Sequence, residues 1–172
     1  REYRLAHPAP DHVEIDPETW WTAAVAAVRE TLTTPGVDAI SIAAMAVSSQ
    51  GETVAAVDAD GHAVGPALVW LDNRATDEAR TLESRFGNAQ VYDRTGVPDV
   101  NPTWTAAKLL WWRAHEPALF RGAARFVAGV FVSDRDRTGG QQRGFDLFGV
   151  ELVECELEGE PGHEAILKFR SL

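Results

Sequence analysis

Residues 39–74, AISIAAMAVSSQGETVAAVDADGHAVGPALVWLDNR, carry the reading that decides the fold. The first nine, 39–47, form a nearly continuous run of small apolar residues of strand length, the pattern expected of a strand covered on both faces. Ser48-Ser49-Gln50-Gly51-Glu52 breaks the run with polar groups. A second strand is predicted over residues 53–57. The turn chemistry of Asp58-Ala59-Asp60-Gly61 then precedes an extended segment over 63–70, so the pair reads as a hairpin.

Working upstream, residues 2–5 read as a short strand that stops at the Pro-punctuated loop His7-Pro8-Ala9-Pro10-Asp11, which can neither continue a ladder nor start a helix. Asp16-Pro17-Glu18 opens a helix: Asp16 can cap, Pro17 suits the first helical position and Glu18 faces the positive end of the dipole. Trp21, Ala24, Val25, Val28 and Leu32 recur at helical spacing and give one face to bury, and residues 33–36 end the helix. Downstream, helices are predicted over 76–86, closed by Gly87 as a left-handed cap, and over 105–115. A strand over 126–132, a charged Gly-ended loop over 133–141, a half-exposed strand over 150–157 and a turn over 158–162 complete the chain. The order of strands and helices is that of an α/β domain.

A chain of 172 residues, against about 150 per domain, allows one compact domain or one with an appended piece. With 45% hydrophobic and 24% charged residues, it has the composition of an ordinary globular protein with enough apolar residues for a sizeable core. The 16 Lys and Arg against 26 Asp and Glu leave a net charge of −10, a field that repels phosphate backbones and anionic lipid. Nucleic acid and membranes are therefore not expected as partners. A single cysteine, Cys155, cannot form an intrachain disulfide, and no apolar run approaches the ~20 residues of a spanning helix, so a cytoplasmic setting is expected. The five His lie far apart and no CxxC occurs, which gives a metal site no support. Because the first residue is Arg1 and no leader follows it, the chain is expected to begin inside a longer parent.

Three polar clusters sit at the ends of apolar segments, where an α/β sheet places its ligand crevice: Gln50-Gly51-Glu52, Trp70-Leu71-Asp72-Asn73-Arg74 and Asn101-Pro102-Thr103-Trp104. Their carboxylates, amides, guanidinium and indoles suit a polyhydroxylated ligand, whose hydroxyls need polar partners and whose C–H faces pack on rings. The residues alone leave a second reading open, in which Trp70 and Trp104 are core, Asp72 and Arg74 are a local ion pair and Glu52 is solvated.

The order of these pieces resembles the N-terminal domain of the FGGY family of carbohydrate kinases over residues 1–130. The resemblance is carried by Val13-Glu14-Ile15-Asp16-Pro17-Glu18-Thr19-Trp20-Trp21, by residues 42–52, by Val57-Asp58-Ala59-Asp60-Gly61 and by Pro66-Ala67-Leu68-Val69-Trp70-Leu71-Asp72-Asn73-Arg74. Thr95-Gly96 and Lys108-Leu109-Leu110-Trp111 then follow in family order. It implies an incomplete α/β, ribonuclease-H-like fold of the actin and sugar kinase type, with the sugar bound in this domain and MgATP held across a cleft by a second one. ATP and Mg²⁺ are thus expected in the complete parent and neither on this chain alone, which would hold no catalytic residue, no cofactor site and no metal site. The acceptor is expected to be a small sugar or polyol.

The substrate-binding residues implied are Gln50, Glu52, Trp70, Asp72, Asn101, Thr103 and Trp104. Glu52 and Asp72 would accept hydroxyl hydrogen bonds, Gln50 and Asn101 offer amides, Trp70 and Trp104 pack on the carbon chain, and Arg74 holds Asp72. Glycerol kinases carry an Arg at the position of Gly51 and a Tyr at that of Thr103, and the family's phosphate hairpin would lie before Arg1. An edge left by that hairpin would favour a homo-oligomer. Residues 131–172 are assigned to no part of the family. Two other readings stand beside this one: a non-catalytic module binding sugar or protein, and a phosphoribosyltransferase-like phosphate loop over 130–140, where Asp134, Asp136, Thr138, Gly139 and Gly140 follow an apolar strand. An exposed surface loop is the expectation for 134–140, since two Asp and two Arg in a row are costly to bury.

Overall fold

A computed structural model describes residues 2–45, 48–128, 154–158 and 166–170. Four short strands form one antiparallel sheet: β1 (Glu14–Ile15), β2 (Val54–Val57), β3 (Ala67–Leu68) and β4 (Arg125–Ala128), in the order β1-β3-β2-β4. Register runs Glu14↔Leu68 between β1 and β3, Val54↔Leu68 between β2 and β3, and Val54↔Ala128 to Val57↔Arg125 between β2 and β4. The hairpin predicted from the turn forms. Asp58 Oδ1 accepts from the His62 N–H at 2.9 Å, the Gly61 N–H donates to the Asp58 carbonyl at 3.0 Å, and Val57 bridges Ala63 beyond the turn. The His62 N–H also holds the Asp58 carboxyl below the ordinary carboxylate range.

Side chains alternate across this sheet with period two, and both faces are covered. Val13, Ile15, Ala55, Ala67, Val69 and Val127 meet Trp20 of helix α1 (Pro17–Leu32) on one face. On the other, Val54, Ala56, Leu68 and Phe126 pack against Leu109 and Trp112 of a second helix and Phe120 of a third. In chain order the remaining helices are α2 (Thr76–Phe86), α3 (Asn88–Thr95), α4 (Thr105–His115), which carries Leu109 and Trp112, and α5 (Pro117–Gly122), which carries Phe120. A third cluster, Ala75, Ala79, Val100 and Ala107, joins α2 to α4, with Trp104 and Trp111 packed at its edge. A separate antiparallel pair, β5 (Glu154–Glu158) and β6 (Ile166–Arg170), runs in register Glu154↔Arg170 to Glu158↔Ile166.

Several local expectations hold because their chemistry is local. Asp16 caps α1 by accepting from the Glu18 N–H at 3.0 Å. Helices α2 and α4 form over the predicted residues, and Trp112 is buried while its neighbour Trp111 is half-buried.

Four expectations are corrected. Residues 39–45 are not a doubly covered strand: Ala39–Ser41 is a single 3-10 turn capped by Asp38, residues 42–45 lack regular structure, and Ile40 and Met45 are 94% and 65% exposed. No strand among the described residues lies beside the run, and without a neighbour a small apolar sequence has no ladder to join. Residues 2–5 form no strand; contact with β1 is one bridge, Ala6↔Glu14, ahead of the Pro-rich turn. On α1 the buried aromatic is Trp20 rather than Trp21, and Val28 and Leu32 stand exposed beyond the sheet's reach. Gly87 has φ +72° but ψ 141°, so it turns the chain straight into α3 instead of forming a left-handed cap; Gly96, at φ +74° and ψ 2°, caps α3 in that way. Of the strands predicted over 126–132 and 150–157, residues 126–128 and 154–157 lie in β4 and β5. The rest of both, the loop over 134–140 and most of the turn after Glu158 fall outside the described residues.

Candidate functional site

The first polar cluster reaches the N-terminus of α4 beside the third, and the second is tied to the first through backbone groups. Trp104, the residue before this helix, offers no side-chain cap; Glu52, from the turn before β2, takes that place. Its Oε2 accepts from the Thr105 N–H at 2.9 Å and from Thr105 Oγ1 at 3.1 Å. A carboxylate here satisfies an orphan donor and faces the positive end of the helix dipole. Glu52 is exposed, and its Oε1 has no hydrogen-bond partner among the described residues.

Gln50 reaches the second cluster through one buried hydroxyl. Thr53 Oγ1 donates to Gln50 Oε1 at 3.0 Å and accepts from the Trp70 N–H at 3.0 Å. Trp70 follows β3 and stays 46% exposed, so its backbone is fixed while its ring faces solvent. Asn101 Oδ1 accepts from the Thr103 N–H at 3.0 Å and from the Thr103 hydroxyl, a closed turn leading into α4. Trp104 is half-buried against the cluster that joins α2 to α4.

Asp72, expected to accept from ligand hydroxyls, is fully buried, and both of its oxygens are engaged within the chain. Oδ2 accepts from the Val13 N–H at 2.6 Å and Oδ1 from the Arg74 N–H at 3.1 Å; Arg74 Nε reaches both oxygens at 2.9 and 3.0 Å. These contacts use the acceptor capacity of a carboxylate. The expectation that Arg74 holds Asp72 agrees with this geometry, and Arg74 also pairs with Glu14 at 2.7 Å and lies 4.8 Å over the Trp111 ring.

Two residues at the site carry no role in the sequence reading: Thr53, just described, and Lys108. Lys108 is fully buried on α4, and its Nζ donates to the carbonyls of Glu52 at 2.7 Å and Val69 at 2.9 Å. Burial pushes its pKa down to about 8; the charges of Asp72 and Glu52 oppose that shift and Arg74 adds to it. One signal was present: Trp104, Lys108 and Trp112 recur at four-residue spacing, which sets the lysine in the apolar stripe of its helix. Chemically these residues offer one available carboxylate oxygen, one exposed indole and two amides, groups whose chemistry suits hydroxyl-bearing carbon chains.

The FGGY family of carbohydrate kinases, N-terminal domain, matches residues 1–133. The chain belongs to this family. A glycerol kinase of Bradyrhizobium diazoefficiens is 33% identical over 125 residues, covering 72% of this chain and 25% of the relative. Among solved structures, gluconate kinase from Lactobacillus acidophilus superimposes with a TM-score of 0.64 at 25% identity, covering 74% of this chain and 25% of that one. Xylulose kinase from Rhodospirillum rubrum gives 0.63 at 28% identity, covering 74% and 26%. This FGGY chain therefore spans about a quarter of the length of the relatives it matches. Its fold is the ribonuclease-H-like, actin-type fold of these sugar kinases, present in part, as the sequence resemblance implies. No helix among the described residues is long and apolar enough to cross a membrane.

Proposed function

We propose that the parent of this chain is a kinase that transfers the γ-phosphoryl group of ATP to a hydroxyl of a sugar or polyol, and that the assembly at the head of α4 is its acceptor side. The observation that carries this reading is that Glu52, with one oxygen available, and Trp70, with its indole exposed, stand on two backbone segments tied together through Thr53 and Lys108. Family membership and relatives named as glycerol, gluconate and xylulose kinases support it. Glu52 Oε1 accepts from a substrate hydroxyl and Trp70 packs on the C–H face. Gln50 and Asn101 turn their amide N–H groups to the ligand, and Thr103 and Trp104 complete the rim. Asp72 holds the turn and does not touch the ligand.

Phosphoryl transfer needs positioned phosphates, metal and an oriented hydroxyl together. ATP and Mg²⁺ supply the phosphoryl group and its charge neutralisation in the complete parent. Among the described residues no group of three or more His, Cys, Asp or Glu is placed to hold a metal ion. What this chain does is bind and orient the acceptor.

Titrating the purified chain with glycerol, xylulose and gluconate, while following the Trp70 indole and the Glu52 amide by NMR, tests the reading. At least one of them is expected to give saturable shifts at both positions. Glu52→Gln keeps an acceptor for the α4 cap but loses the charge, and is expected to weaken that binding about tenfold or more, as is Trp70→Ala. Both should leave the midpoint of thermal unfolding within a few degrees. Silence at both positions with all three ligands, or losses of binding that only track losses of stability, overturns the assignment. ATP turnover by the chain alone, following the protein through purification, would contradict the division of labour.

A further inference from the structure

We propose that Lys108 is a positioning residue of the acceptor site: its buried ammonium ties the peptide groups that follow Glu52 and precede Trp70, and so sets how these two side chains are presented. The inference rests on the acceptor-side reading of Glu52 and Trp70 and adds to it a residue that touches no ligand.

The pairing between β2 and β3 ends at Val54↔Leu68, so the carbonyls of Glu52 and Val69 lie beyond the ladder; the Val69 carbonyl accepts from the Asp72 N–H at 2.9 Å, while no backbone donor among the described residues meets that of Glu52. Lys108 Nζ meets both, at 2.7 and 2.9 Å. The N–H groups of the same two peptide units are also held. The Thr53 N–H donates to the Gln50 carbonyl at 3.1 Å, and the Trp70 N–H donates to Thr53 Oγ1 at 3.0 Å. Both peptide planes are thus fixed through both polar groups, with Lys108 as the atom they share. Helix α4 grips Glu52 twice, by its carbonyl through Lys108 and by its carboxylate through Thr105.

The choice of residue supports a role beyond stability. A fully buried ammonium is costly to desolvate, a cost that an apolar side chain of similar size at this position would not carry. Lys108 has no carboxylate among its hydrogen-bond partners; two carbonyls hold it, with Asp72 and Glu52 as the opposite charges acting on it and Arg74 as the like one. What the lysine provides, and an apolar residue would not, is a charge-assisted link between the two strand ends.

Stability and presentation should respond to pH with opposite signs. The folded-state pKa, about 8, lies below the ordinary lysine value of 10.5. Between these values the unfolded chain binds more protons, and the contribution of Lys108 to stability rises with pH. Over the same range the neutral amine loses the charge assistance of its two hydrogen bonds, and ligand binding should weaken.

The test combines Lys108→Met, which keeps the length without donors, with a pH series on the unaltered chain from about pH 6 to about pH 10, using glycerol, xylulose and gluconate as probes. Lys108→Met is expected to remain folded, to shift the Glu52, Thr53 and Trp70 amides, and to bind about tenfold or more weakly. Binding by the unaltered chain is expected to fall as pH rises through about 8, a dependence the variant lacks. A folded variant with unchanged amides and affinity overturns the proposal. If the variant does not fold, the pH series decides: binding flat through about 8 overturns it. If the unaltered chain binds no probe, the acceptor-side reading fails by itself. The positioning role is then judged on whether the Glu52 and Trp70 signals move with Lys108 ionisation, and unmoved signals reject it.

Discussion

Asp72→Ala is expected to cost about 3–5 kcal/mol of folding stability, because it removes one partner from a buried ionic network and leaves the other behind. Asp72 is fully buried and the Arg74 side chain is 2% exposed, so neither charge can turn to water. The variant would leave the guanidinium with Glu14 alone, at 2.7 Å, and would strip the Val13 N–H of its 2.6 Å acceptor. That N–H belongs to the segment entering β1, and Arg74 sits at the end of the turn that carries Trp70. The network therefore pins the first strand to the site loop. Asp72→Asn, which keeps an acceptor and loses the charge, should fall between the unaltered chain and the alanine variant. Urea unfolding followed by tryptophan fluorescence measures both. A loss below about 1 kcal/mol for Asp72→Ala, coupled with a large loss of sugar binding, would return Asp72 to the ligand-contacting role that its sequence position suggests.

The partners of Asp72 mark where the sequence stops being legible. Asp72 sits in a polar cluster at a strand end, and one-dimensional order gives its neighbours but not Val13, 59 residues away, whose N–H claims its oxygen. The same holds for the Thr53 link to Trp70, 17 residues distant, and for Lys108, whose partners lie 39 and 56 residues away. What could be read was local chemistry: the Asp16 cap, the Asp58 turn and the extents of α2 and α4. The polar breaks on either side of the hairpin were legible too, since Glu52 precedes β2 and Trp70 follows β3. The strand expected over residues 39–45 failed for the opposite reason. Its composition describes a buried strand, but burial depends on a neighbouring strand, and the side chains of Ile40 and Met45 face solvent.

Trp112→Ala should be as damaging as the loss of Asp72, at about 3–5 kcal/mol, for a reason rooted in packing rather than charge. Trp112 is 1% exposed and lies under the sheet against Val54, Ala56, Leu68 and Phe126, whose ring it meets at 5.8 Å and 28°. With Leu109 it seats α4 on β2 and β3, and four residues earlier on the same face stands Lys108, with Thr105 at the head of the helix. A cavity at Trp112 would let α4 shift relative to the two strand ends that Lys108 and Thr105 join, so sugar binding and stability should fall together. Trp112→Phe keeps a ring against Phe126 and should recover a large part of both. This coupling contrasts with Trp70→Ala, which should weaken binding while leaving unfolding nearly unchanged. Thermal melts with ligand titration on the same samples separate the two: if Trp112→Ala loses stability yet binds as the unaltered chain does, α4 is not what holds the site together.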